Sequence, residues 1–144
     1  FIFSAICEKT YFFGSVNNAS STKLSLNYLI ASLSYSFSLT LRFLQENNIK
    51  IEIFMDLLRN SSLYAKIFDK KLERMLSSNH ENANFNIMNL SKDIELFNNE
   101  VKKMNIDETL LEKLNNILKS DTAKKYSNLD YSCIYFLTKR IYDS

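Results

Sequence analysis

Three places in the chain set polar side chains where chemistry could use them. They are Lys23 with Asn27, the adjacent Lys92 and Asp93, and the run Asp130, Tyr131, Ser132 near the end. Lys23 is the only charged residue between Lys9 and Arg42. If a helix begins within or just after "SVNNASST", Lys23 falls in its first turns, where the macrodipole disfavours a cation. That field, with partial burial, predicts a lowered pKa for the ammonium. A lysine tuned towards neutrality can pass a proton to or from a hydroxyl or carbonyl oxygen. Asn27, four residues on, shares the helix face, and its amide both donates and accepts. Free N–H groups at the same helix start could hold a carboxylate. Together these suit a small hydroxy acid. The spacing equally suits an edge lysine reaching water beside a satisfied core asparagine, and the pair alone does not choose.

The elements that must position these residues read as helices. Residues 1–13 look extended, and "FIFSAIC" resembles a buried strand from a preceding domain; Gly14 then marks a turn. The expected division is 1–13 as the end of that domain and 14–144 as an all-α domain, the whole being part of a longer chain. Leu26, Leu29, Ile30, Leu33, Phe37, Leu41 and Leu44 recur at helical spacing, and Leu24, Tyr28, Tyr35, Leu39 and Phe43 add a second apolar face. A helix apolar on most sides is the central one of a bundle, and Asn48 is placed to end it in a left-handed conformation. Further helices are predicted over about 51–59, 62–76, around Met88–Met104, around Leu110–Leu118 with a cap near Asp107, and about 129–142. Ser61 and Ser62 read as the cap of the third, and Phe37, Phe43, Phe54, Phe68 and Phe97 as core. One glycine and no proline among 144 residues leave too few turn formers for an all-β fold. The fold class is therefore all-α, a helical bundle around one long buried helix.

Composition removes several functions. Eighteen basic and sixteen acidic residues give +2, with signs interspersed in "DKKLER" and "NNEVKK", so no nucleic-acid partner is expected. Cys7 and Cys133 form no paired motif, so neither a disulfide framework nor a metal site is expected and a reduced, cytoplasmic setting fits. Leu24–Leu41 carries no charge over 18 residues, but seven of them are Ser, Thr or Asn, which is costly in lipid. No membrane span is expected, and the N-terminus lacks the basic leader of a signal peptide. His80, alone in the polar "SSNHENANFN", reads as exposed, with no triad around it.

Taken in order, these pieces resemble the C-terminal domain of the β-hydroxyacid dehydrogenases, the 3-hydroxyisobutyrate dehydrogenase group related to 6-phosphogluconate dehydrogenase. That family shows Gly-x-x-Gly-x-Gly-x-x-x-Lys-x-x-Asn-Asn where its chain leaves the Rossmann domain; Gly14, Lys23 and Asn27 match. Its later Lys-Asp pair is matched by Lys92 and Asp93, and its acidic-aromatic-Ser segment by "DYS", so the register holds over roughly residues 10–141. The resemblance implies Lys23 as general acid/base, Asn27 holding substrate, and Lys92 near nicotinamide and substrate, with Tyr131 and Ser132 either lining the cleft or packing a helix start. It implies NAD or NADP as cofactor, no metal, a small 3-hydroxy acid or semialdehyde as substrate, the protein's own N-terminal Rossmann domain as partner, and a homodimer or higher homo-oligomer built on the long helix. Asn17 and Ala19 stand where the family has glycines, Leu26 replaces the first asparagine, and Leu39 falls where many members carry a buried glutamate. The Gly-x-Gly-x-x-Gly fingerprint is not in this chain, so the 144 residues alone are expected not to turn over substrate. The alternative reading is a non-catalytic helical interaction module that kept the fold and lost the chemistry.

Overall fold

The computed structural model describes residues 9–139. The expected N-terminal strand over residues 1–7 lies outside that range, as does the end of the expected last helix. Gly14 adopts φ +82°, open to glycine without strain, and turns the chain into α1, Val16–Glu46. Ser15 is the N-cap, its hydroxyl accepting from Asn18 N at 3.2 Å. The "SVNNASST" segment is thus the N-cap and the first two turns of the helix rather than a leader before it. α1 ends at Asn47, and Asn48 takes φ 56°, the left-handed conformation expected of it.

The buried side of α1 runs Asn27, Ala31, Ser34, Ser38 and Leu41, a strict four-three alternation. Most of these side chains are small. Ser38 donates to Ser34 O at 2.7 Å, as the neighbouring Ser32 does to Tyr28 O and Thr40 to Ser36 O, while the Ser34 hydroxyl has no partner among the described residues. This back-bonding lets a serine-rich helix enter a core. Leu26, Leu29, Leu39 and Phe43, expected on apolar faces, are instead open to solvent, so the helix packs on one side and leaves a second apolar side uncovered.

The helices that follow are α2 (Ile51–Arg59), α3 (Lys66–Ser77), α4 (Ile87–Lys103), α5 (Thr109–Lys119), α6 (Asp121–Lys125), a 3₁₀ turn at Tyr131–Cys133 and α7 (Ile134–Leu137). α3 begins at Lys66 and not near Ser62, because Arg59 and Tyr64 both bind Asp69 and hold residues 60–65 as a turn. Ser61 caps that turn, accepting from Leu63 N. Asp107 accepts from Thr109 N and hydroxyl at the start of α5. The expected single C-terminal helix is replaced, within the described residues, by the 3₁₀ turn and the four residues of α7. α6 has no counterpart in the sequence reading.

Asp93 on α4 meets Lys23 and Asn27, while Asn17–Leu24 share a groove with Leu96–Met104. α4 therefore runs antiparallel to α1. The core gathers Leu41, Met55, Met75, Ile87, Leu90, Ile94 and Ile134, all nearly inaccessible. Phe37 stacks on Phe68 at 4.7 Å and Tyr28 on Phe97 at 5.1 Å. Phe37 and Phe68 are buried and Phe54 and Phe97 partly so, but Phe43 is 65% exposed and is not core. Among the described residues no helix is long and apolar enough to cross a membrane.

Candidate functional site

The half of α1 before Ser32 carries the two polar residues singled out by spacing, and α4 brings a carboxylate to them. Lys23 Nζ donates to Asp93 Oδ2 at 2.9 Å, and Asn27 Nδ2 donates to the same oxygen at 2.6 Å. The shared face of Lys23 and Asn27 is thus observed, and it is organised by Asp93, named in the sequence only as the neighbour of Lys92. The signal the sequence carries for it is its place three residues after Leu90 and one before Ile94, on the apolar stripe of α4. Asp93 is buried, its side chain 10% exposed, whereas the Lys23 side chain is 64% exposed. The carboxylate is anchored and the ammonium reaches outward. Because a carboxylate only accepts, the asparagine must turn its Nδ2 towards Asp93, and its Oδ1 is left facing away.

Two premises of the sequence reading change. Lys23 is the eighth residue of α1, outside the first turn over which the helix field acts. The free N–H groups at Val16 lie about 10 Å along the axis from Lys23 and do not converge on it. Lys92 is exposed and makes no hydrogen bond or ion pair among the described residues; adjacent to Asp93, it points about 100° around the helix from it. No group of three or more His, Cys, Asp or Glu side chains is placed to hold a metal among the described residues.

The "DYS" run builds a second polar cluster elsewhere. Asp130 is 1% exposed and takes Lys71 Nζ on both oxygens at 2.8 and 2.9 Å. It caps the 3₁₀ turn by accepting from Ser132 N at 3.0 Å. Burial pushes its carboxyl up, but the bonds from Lys71 and Ser132 outweigh this and hold it below its ordinary value. Ser132 Oγ lies 2.8 Å from His80 Nδ1. His80 is therefore not a surface histidine: it is 2% exposed, edge-on to Phe136 at 4.7 Å. Burial pushes its imidazole below the ordinary value, with Asp130 acting against this and Arg74 and Lys71 with it. Tyr131 and Cys133 are buried, and burial raises each to about 12, so neither is a ready nucleophile. Tyr131 is packed in the core, and Ser132 is held between Asp130 and His80. Asn86, which pairs with Asp130 in an isolated bridge, precedes α4, so this cluster sits at one end of that helix and the Lys23 cluster about 10 Å along it.

An all-α domain with an open lysine, an asparagine and a buried carboxylate joined across two antiparallel helices is the class that fold and site define. Residues 18–137 match the family described as the NAD-binding domain of NADP-dependent 3-hydroxyisobutyrate dehydrogenase, and the chain belongs to that family. Among solved structures, a 3-hydroxyisobutyrate dehydrogenase from Salmonella typhimurium superimposes with a TM-score of 0.70 at 13% identity, over 81% of this chain. The chain spans 40% of the length of that protein, and the likeness concerns the fold. A search of curated protein sequences finds no match. The family resemblance and the all-α fold read from the sequence are borne out.

Proposed function

We propose that this chain is the C-terminal substrate-binding and dimerisation domain of an NAD(P)-dependent 3-hydroxyacid dehydrogenase, moving a hydride between nicotinamide and a small 3-hydroxy acid or semialdehyde. The observation that carries the reading is the convergence of Lys23 and Asn27 on one oxygen of a buried Asp93, with the lysine head open.

In reduction the Lys23 ammonium gives a proton to the carbonyl oxygen, and in oxidation the neutral amine takes the hydroxyl proton and becomes the ammonium again. Asp93 holds the lysine and the asparagine in place, and the second N–H of Asn27 Nδ2 is free to donate to a substrate oxygen. Lys92, exposed beside Asp93, is available to a substrate anion or to the cofactor. A bound nicotinamide supplies the hydride chemistry. The residues present fit one cation-lined edge of such a site and not a dinucleotide cradle, since one glycine cannot build the phosphate-binding turn. Cofactor binding therefore rests on the protein's own Rossmann domain. The uncovered side of α1, with Leu26, Leu29, Leu39 and Phe43 at 50–65% exposure, supports a homodimer built on that helix.

The test is substitution in the protein joined to its cofactor domain. Lys23→Ala should lower kcat about 10²–10⁴-fold on 3-hydroxy acids, the range for losing a general acid/base, with helix content unchanged by circular dichroism. Asp93→Asn should lower kcat and shift the pH profile of kcat/KM, as a residue acting through Lys23 would. Activity that survives Lys23→Ala would rule out the proton-transfer role, whereas no turnover by the unsubstituted protein joined to its cofactor domain would favour the interaction module.

A further inference from the structure

The loop between α3 and α4 and the segment before the 3₁₀ turn lie against each other as a short backbone clasp. Asp130 N donates to His80 O at 2.8 Å and Tyr131 N to Phe85 O at 3.0 Å. In return Ile87 N donates to Leu129 O and Met88 N to Ser127 O, each at 3.0 Å. These last two are first-turn amides of α4, which have no partner inside their own helix. The clasp therefore completes the start of the helix that carries Asp93.

His80 is the side chain that closes it. It is the only histidine in the chain, it is almost fully buried, and it joins the two strands of the clasp through Ser132 Oγ. Its other ring nitrogen, Nε2, is buried with no hydrogen-bond partner among the described residues. A neutral ring tolerates that arrangement at modest cost. An imidazolium has two donors and a charge to solvate, and a buried unpaired charge is far more costly than a buried neutral group.

The charges around it offer no relief. α3 contributes Lys71 and Arg74, both cationic; Arg74 Nη1 donates to Glu81 O at 2.6 Å and so is fixed beside the loop. From the 3₁₀ segment comes Asp130, already bidentate to Lys71 and bonded to Ser132 N, with the neutral Tyr131 and Cys133 beside it. α7 presents Phe136, with the neutral Tyr135 next to it in sequence. In the loop itself, Glu81 is exposed to solvent. Asp130 is the one carboxylate acting on the ring among the described residues, and it is spoken for.

We infer that His80 is an acid-sensitive latch: its protonation releases residues 79–88 from residues 127–133 and frays the first turn of α4, while the rest of the bundle stays folded. This rests on the clasp geometry and not on the proposed dehydrogenase reading.

A single histidine makes the test direct. The imidazole signal of the protein is followed by NMR from pH 8 to 4.5, with amide hydrogen exchange of residues 79–88 and 127–133 measured at the same points. The latch predicts that His80 titrates below its ordinary value, that these amides lose at least tenfold in protection over the same interval, and that the α1 amides around Ala31–Leu41 do not. His80→Gln keeps a neutral hydrogen-bonding side chain and should leave clasp protection flat with pH. If that variant fails to fold, the wild-type comparison of clasp and α1 amides still decides. Titration at the ordinary histidine value with no change in clasp protection would overturn the latch. Equal loss of protection across the whole bundle, or in His80→Gln, would do the same.

Discussion

Two ion pairs with buried carboxylates divide the polar residues of this protein by consequence. Lys71–Asp130 is largely enclosed on both sides, at 13% and 2% side-chain exposure, whereas Lys23–Asp93 is buried only on the acid side. Removing one partner of a buried pair leaves the other charge uncompensated, at about 3–5 kcal/mol; an exposed lysine contributes less than about 1 kcal/mol. Lys71→Met should therefore destabilise the fold by roughly 3 kcal/mol in urea denaturation, with part recovered in the double variant Lys71→Met, Asp130→Asn. Lys23→Met should shift the midpoint less, since Asn27 still donates to Asp93 and water can reach the carboxylate where the exposed lysine stood. A residue whose loss spares stability and abolishes turnover is spent on function, and that contrast separates the two lysines. At this scale the sequence was partly legible. Lys23 and Asn27 stand out by spacing, but Asp93, the group that joins them, is 66 residues from Asn27, and no local pattern shows which carboxylate a lysine will find. His80 was misplaced for the same reason: its loop is polar throughout, and what buries it, Ser132, is 52 residues away.

At the level of elements, α1 shows how far periodicity reaches. Its length and its stop at Asn47–Asn48 follow from spacing and cap chemistry. Which of its faces is buried does not, because apolar residues lie all round and the packed side mixes the small Ala31, Ser34 and Ser38 with Phe37, Leu41 and Leu44. Leu41, fully buried, should cost about 2–5 kcal/mol when changed to Ala, while exposed Leu39→Ala should stay within about 0.5 kcal/mol; urea midpoints of the two variants compare the faces directly. α3 adds a gain. Ser78, its C-cap, sits at φ 56°, which costs an L-residue roughly 1 kcal/mol. Ser78→Gly should raise stability by about 0.5–1 kcal/mol in thermal or urea unfolding. The late start of α3 was illegible for a physical reason. Asp69, already inside the helix, reaches back to Arg59 and Tyr64, so a tertiary network overrides the capping propensity of Ser61 and Ser62.

For the whole molecule, two buried groups set the response to acid. The imidazole of His80 is lowered in the fold relative to about 6.5 in the unfolded chain. The unfolded state therefore binds more protons below that value, and the stability His80 permits is full above about 6.5 and declines as pH falls towards its folded value. Asp130 is also lowered, so its contribution is present above about 3.9 and is lost as pH falls through its folded value. Denaturation midpoints should fall in two stages on acidification, the first missing in His80→Gln. The isolated 144 residues should show no NAD(P)H-dependent turnover, and turnover by them alone would remove the need for a cofactor domain.

The hydroxyls of α1 carry one further consequence. Thr22, Ser25, Ser32, Ser38 and Thr40 each donate to a carbonyl four residues back, so their protons are already committed. Beside them on the uncovered side stand Leu26, Leu29, Leu39 and Phe43. On this side Ser36 is exposed with its hydroxyl unbonded among the described residues, so the surface keeps few free donors to offer a visitor. Whatever is laid along it is discriminated by the relief of leucine and phenylalanine side chains, knob against hollow, with polarity contributing little to the choice.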